Sequence, residues 1–211
     1  MGSLSLFTIV IIAANAIISY KGFNDYSFFE RYKFNIGQIK RGEQFRLFSS
    51  GFLHADMQHL IFNMITLYFF ADFVIYELGN INFLIVYIGS LLLGSLMSLY
   101  FHQNEHQYSA VGASGAVMGV LYSAILIEPM MQINFFIPGF VFGIGYLLYS
   151  IYGMKNRIGN IGHDAHFGGA VGGYVLTLIL EPSLLEKELL IVVLLAIPIL
   201  ILFVMHKMNK I

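Results

Sequence analysis

Cysteine is absent from the 211 residues, and so is tryptophan. The first absence excludes disulfides, thiolate metal sites and a cysteine nucleophile, and leaves the redox compartment open. The second means that an interfacial aromatic belt has to come from the 13 Tyr and 20 Phe. Charge is scarce as well. Asp, Glu, Lys and Arg make up 11% of the chain, against roughly 25% in a soluble globular domain. Hydrophobic residues make up 58% and the mean hydropathy is +0.76, so the composition is that of an integral membrane protein. A net charge of −1 gives no basis for nucleic-acid binding. The first residues lack a basic n-region and a small-residue cleavage site, so no signal peptide is expected.

Seven runs reach or approach the about 20 apolar residues that a spanning helix needs: 4–20, 57–76, 83–101, 114–127, 135–152, 165–180 and 189–205. The expected fold is all-α, a polytopic bundle of membrane helices in a single domain. Most connections are short. The exception, 21–56, holds six of the eleven Lys and Arg and is expected to fold against the membrane surface. Two runs are too short to cross. The fourth measures about 21 Å and the sixth about 24 Å at the helical rise, against a hydrocarbon thickness of about 30 Å. If their far ends reach the opposite interface, their N-termini are recessed, which is tolerated only inside protein or beside a water-filled cavity.

Helices alternate in direction, so the second, fourth and sixth begin on one face. The polar residues gather at those three starts: His54, His59 and Asn63; Ser114; His163, Asp164 and His166. Ser114 sits in Val111-Gly112-Ala113-Ser114-Gly115-Ala116, and nothing charged follows it until Glu128. A serine inside a membrane helix usually bonds back to a carbonyl one turn earlier. At a helix start that carbonyl is missing, and the plain alternative is an N-cap. Gly112 and Gly115 allow close backbone approach, and the free amides of this helix start can hold an anion.

Gly169 and Gly173 form a G-x-x-x-G face, as do Gly115 and Gly119. Small residues at that spacing let membrane helices pack backbone to backbone. If the two faces meet, His166 lies beside Ser114, and histidine is the usual base for activating a serine. His166 alone could be a satisfied polar bridge, but an ionisable residue at membrane depth is a functional candidate by default. His59 and Asn63, four apart, share a helix face. They could stabilise helix contacts, or offer donors to the oxyanion of a tetrahedral intermediate. No H-E-x-x-H is present, so the histidines are not read as a zincin metal site. His102, His106 and His206 read as loop and terminal residues.

These pieces together resemble the rhomboid intramembrane serine proteases. The resemblance runs from about 45 to 180. It is carried by Gly112-Ala113-Ser114-Gly115, by His59-x-x-x-Asn63 preceded by His54, by Ala165-His166 followed by Gly169 and Gly173, and by Phe45-Arg46 where the family usually has Trp-Arg. It implies a Ser114/His166 dyad without an acid. It implies an oxyanion hole of His59, Asn63 and the Ser114 amide, supported by His54, Gly112, Gly115, Gly169 and Gly173. It also implies no cofactor and no metal, and as partners membrane-spanning protein substrates and the lipid bilayer. The fifth helix, Phe- and Gly-rich around 135–146, would border lateral substrate entry, with Phe62 at that gate. One departure stands out. Some bacterial members place a tyrosine one turn after the serine, packed on the histidine ring; here that residue is Met118, so His166 is expected to be held less firmly.

The resemblance further implies a bacterial-type six-plus-one layout, with a core over 1–182 and an added helix over 183–211, in a bacterial inner membrane. The charges point the other way on orientation. Ten of the eleven Lys and Arg fall on the face of Ser114 and only Lys187 on the other, which the positive-inside rule would place in the cytoplasm. Three other readings stay open: a rhomboid-like protein that binds or escorts membrane proteins, a transporter, and a metalloprotease.

Overall fold

The computed structural model describes residues 4–133, 136–159 and 161–211. All seven apolar runs are helical. They become α1 (Leu6–Asn24), α5 (Met57–Leu78), α6 (Asn80–Phe101), α7 (Ser114–Ile127), α8 (Gly139–Asn156), α9 (His163–Leu180) and α11 (Leu189–Lys207). Phe135, the expected start of the fifth run, lies outside the described residues. The long connection after α1 folds into α2 (Tyr26–Tyr32), α3 (Ile36–Lys40), α4 (Arg46–Ser49) and a single 3-10 turn at Ser50–Phe52. A short α10 (Leu184–Lys187) precedes α11.

Among the described residues four helices are long and apolar enough to cross a membrane: α1, α5, α6 and α11. Large apolar side chains such as Ile17, Phe69, Leu190 and Leu200 point outward from them. Such a surface is stable only in lipid, and the chain is an integral membrane helix bundle. At 14 residues, α7 is apolar but short. It stands at the centre of the bundle: every residue from Gly115 to Leu126 is buried. The helices α5, α6, α8 and α9 pack against it.

Two small antiparallel ribbons complete the fold. The strand β1 (Phe34–Asn35) pairs with β2 (Ser109–Ala110), Phe34 opposite Ala110. Likewise β3 (Gln132–Ile133) pairs with β4 (Ile137–Pro138). The first ribbon ties the long connection to the segment that leads into α7. That connection is also pinned from within. Arg46 is 6% exposed. It donates to the Glu30 and Lys33 carbonyls at 2.8 and 2.9 Å and to the Glu43 carboxylate at 2.6 Å. A buried guanidinium with its donors satisfied by backbone holds loop segments that have little apolar surface of their own.

The structure departs from the sequence reading at two helix starts. First, α9 begins at His163, two residues earlier than expected, because His163 and Asp164 are buried at 3% and 4% exposure and join the first turn. At 18 residues it measures about 27 Å. Second, Ser114 is not an N-cap. Ala113 holds that position, with no side-chain cap bond, and Ser114 is the first residue with helical backbone.

Candidate active site

The segment that delivers Ser114 is fixed by backbone hydrogen bonds and by a glycine. Gly112 N–H donates to the Ser50 carbonyl at 3.0 Å. Its φ is +132°, a conformation that side-chain-bearing residues adopt only under strain. A Cβ there would also stand 2.6 Å from His59 Cε1 and 2.8 Å from His59 Nε2. Gly112 thus provides both the turn and the space for the His59 ring. Ser114 Oγ lies 3.6 Å from the same Cβ point, which brings the hydroxyl and the His59 imidazole around one small space.

His54 anchors the next residue. It is fully buried. Its Nε2 accepts the Ala113 N–H at 3.4 Å, and its Nδ1 lies 2.8 Å from Ser19 Oγ. Ser19 Oγ is also 3.0 Å from the Phe52 carbonyl, to which it donates. Only one proton arrangement satisfies all three contacts. Nδ1–H donates to Ser19, Ser19 donates to Phe52, and Nε2 stays unprotonated. Burial, reinforced by the neighbouring His59, pushes the His54 imidazole down to about 3, so it is neutral at any ordinary pH. The two rings meet edge to face with centroids 5.0 Å apart.

The glycine faces do meet. A Cβ on Gly169 would overlap the Gly115 backbone, and one on Gly173 would overlap the Gly119 backbone. At the helix starts, a Cβ on Gly115 would stand 3.3 Å from the Ala165 carbonyl oxygen. The residue after Ser114 therefore abuts the residue before His166. Backbone contact of this closeness is available only to glycine, and it is the means by which membrane helices gain packing energy without a hydrophobic driving force. Among the described residues no hydrogen bond joins Ser114 to His166. The ring is held from its other side: His166 Nδ1 is 2.6 Å from the Tyr146 hydroxyl. The Tyr146 ring stacks alongside, with centroids 6.2 Å apart and planes 29° apart. Met118, one turn after Ser114, is buried in the core that contains Phe167 and Ala170. The expectation of a loosely held His166 is overturned, because the phenol comes from α8 rather than from α7.

On α5, Asp56 caps the helix by accepting the His59 N–H at 2.8 Å. One turn on, Asn63 is 7% exposed and its Nδ2 has no hydrogen-bond partner. A buried amide donor without a partner costs about 1–3 kcal/mol, so it is retained where something else uses it. Phe62, at the preceding position, is 63% exposed.

His163 and Asp164 do not join this group. His163 Nε2 lies 3.2 Å from the Ile158 carbonyl. Asp164 Oδ2 lies 3.6 Å from His102 Nε2, and His102 Nδ1 lies 3.1 Å from Glu105. His102 is thus no bystander: it stacks on Tyr108 at 3.6 Å and bridges two carboxylates. Nor is His206 a frayed end, since its Nε2 meets the Tyr100 hydroxyl at 2.7 Å and ties α11 to α6. Among the described residues no group of three His, Cys, Asp or Glu could hold a metal ion. The contacts that sequence reasoning missed, Tyr146 to His166 and Ser19 to His54, have a weak signal at most: a lone tyrosine in a Phe- and Gly-rich stretch, and a serine near the end of a spanning run.

A family model described as the Rhomboid domain matches residues 41–183. The chain is 28% identical to "RHOMBOID-like protein 12, mitochondrial" of Arabidopsis thaliana, over 77% of this chain and 54% of that protein. It is 30% identical to "Rhomboid protease GluP" of Bacillus subtilis, over 64% of this chain and 26% of that protein. To "Putative rhomboid protease YdcA" of the same bacterium it is 32% identical, over 68% of this chain and 70% of that protein. The chain thus spans about half of the first relative's length and about a quarter of the second's. The matched stretch opens in the connection that Arg46 pins and closes just beyond α9, enclosing Ser114, His166, His59 and Asn63, and the chain belongs to the rhomboid family.

Proposed function

We propose that the chain is an intramembrane serine endopeptidase that cleaves membrane-spanning proteins in or near the bilayer. The observation that carries this reading is the abutment of Gly115 on Ala165, which supports pairing Ser114 with His166 across two helix starts. The vacant acid position fits as well, since the far nitrogen of His166 is already taken by a neutral phenol.

In the proposed reaction Ser114 Oγ attacks the scissile carbonyl and passes its proton to His166 Nε2. Negative charge moves to the carbonyl oxygen. The Ser114 N–H, one of the first unpaired amides of α7, is a donor there, helped by the helix dipole. Asn63 Nδ2 and the His59 ring are the other two donors. The imidazolium then protonates the departing amine, and an acyl-enzyme remains on Ser114. Water activated by the same histidine releases it. Catalytic pairs without a hydrogen bond at rest commonly tighten only when substrate binds. The substrate must present extended backbone to reach Ser114, so helices that unwind easily near one end are the fitting class.

Residues 1–182 are read as the rhomboid-like core and 183–211 as an added helix. The relatives named above are bacterial and mitochondrial; a bacterial inner membrane is the setting proposed here. The test is cleavage of a model transmembrane substrate by purified protein in vesicles. Wild type should cut it, and neither Ser114→Ala nor His166→Ala should. Binding of the substrate without cleavage by wild type would favour the escort reading instead.

A further inference from the structure

Tyr146 lies on α8, outside every motif that identifies the family, yet its hydroxyl is the hydrogen-bond partner of His166 Nδ1 at 2.6 Å. Three neighbouring features show that the contact is built rather than incidental. Phe142, one turn earlier, stacks on the Tyr146 ring at 5.8 Å and 20°, and Tyr146 stacks in turn on His166. Tyr122 on α7 donates to the Gly143 carbonyl and so fixes α8 one turn before Tyr146. Ser150, one turn after it, is buried with a hydroxyl that has no partner. On α7 the residue one turn beyond Ser114 is Met118, whose thioether is only a weak acceptor for an imidazole N–H.

We propose that Tyr146 is the positioning residue of His166, supplying from α8 the orientation that an acid supplies in a catalytic triad. This rests on the reading of Ser114 and His166 as nucleophile and base. The direction of the hydrogen bond follows from the chemistry. If the phenol donated to Nδ1, the ring proton would sit on Nε2, which could not then accept a proton from serine. With Nδ1–H donating to the phenol oxygen, Nε2 keeps its lone pair. The phenol O–H is then free to donate, and Ser150 Oγ stands one helical turn away on the same face. No acid is required, because a neutral acceptor fixes both the tautomer and the ring plane. A consequence is that the base depends on the position of α8. A shift of α8 away from α9 releases the ring as well as opening the bundle.

The test uses the full chain and two readouts. In Tyr146→Phe the ring and its stacking remain while the acceptor is lost. Its kcat should fall about tenfold, the worth of one hydrogen bond in the transition state, with KM unchanged. Labelling of Ser114 by a fluorophosphonate should slow in parallel. An unchanged kcat in a folded Tyr146→Phe protein overturns the proposal. The second readout needs no variant. Nitrogen NMR of histidine-labelled wild type should find the His166 proton on Nδ1, assigned by its absence in His166→Ala; a proton on Nε2 overturns the proposal. Persistence of cleavage in Ser114→Ala would instead remove the reading on which it rests, so the two failures are distinguishable.

Discussion

Two groups of histidines stand at the same end of the bundle, and they are built on opposite principles. Around His102 there are acids. Glu105 and Asp164 flank its ring, and Arg157 pairs with Glu105 at 3.2 Å. Around Ser114, among the described residues, no carboxylate holds an imidazole: Asp56 accepts the backbone N–H of His59, and Asp164, two residues before His166, turns to His102. The first group ties the connection after α6 to the start of α9. The second satisfies its imidazoles with neutral partners: Ser19 and the Ala113 amide for His54, and Tyr146 for His166. A histidine that must accept a proton needs one nitrogen left free, and a neutral partner on the other nitrogen is enough to hold the ring. Histidine content alone therefore does not mark the site; the chemistry of the partners does.

The largest expected effect separates the two groups directly. Ser114→Ala should reduce kcat by roughly 10³- to 10⁶-fold, the range seen when a serine nucleophile is removed. Asp164→Asn should leave kcat per folded molecule unchanged, although it lowers stability by disturbing a buried carboxylate. If Asp164→Asn removes cleavage from a folded protein, the division between the groups is wrong. Next in size is Asn63→Ala. A lost oxyanion donor costs about 10²–10³ in kcat. Because Asn63 Nδ2 has no partner at rest, the same change should not lower the midpoint of thermal unfolding.

A smaller effect appears in the pH dependence of stability. Unfolded His54 takes a proton near its ordinary 6.5, while burial keeps the folded ring neutral down to about 3. Between those values the unfolded state binds more protons. The contribution of this site is therefore full above about pH 6.5 and is lost as the pH falls toward 3, by at most about 1.4 kcal/mol per pH unit. His54→Gln should flatten that slope in detergent unfolding measured across pH 4 to 7. An unchanged slope would show that His54 is not buried neutral. The smallest effect belongs to the His102 group. Arg157 is 84% exposed in its pair with Glu105, and Arg157→Ala should change stability by no more than about 1 kcal/mol, read as a small shift in the unfolding midpoint.

The seven helices were legible because lipid imposes a strong rule: long apolar runs satisfy their backbone as helices. The approach of α7 and α9 was legible for a similar reason, since Gly115, Gly119, Gly169 and Gly173 have few other uses at that spacing. What the sequence did not show depends on rotation and depth. Whether Tyr146 faces His166 is set by how α8 turns about its axis, and a helix with apolar residues on every side carries no periodic signal for that. The placement of His163 and Asp164 was hidden for a different reason. Asp164 meets His102, about 60 residues away in a short connection, while His163 turns back to the Ile158 carbonyl, and no local pattern links either contact to α9. The family resemblance marked Met118 as a departure, and the hydroxyl that meets His166 comes from another helix.

The central claim is that Ser114 is the activated nucleophile of a site whose base is His166. Treating the purified protein in vesicles with a fluorophosphonate and locating the adduct by mass spectrometry tests it most directly. The account predicts one adduct, on Ser114, absent in Ser114→Ala and formed far more slowly in folded His166→Ala. An adduct on any other residue, or labelling of Ser114 at the wild-type rate without His166, would contradict it.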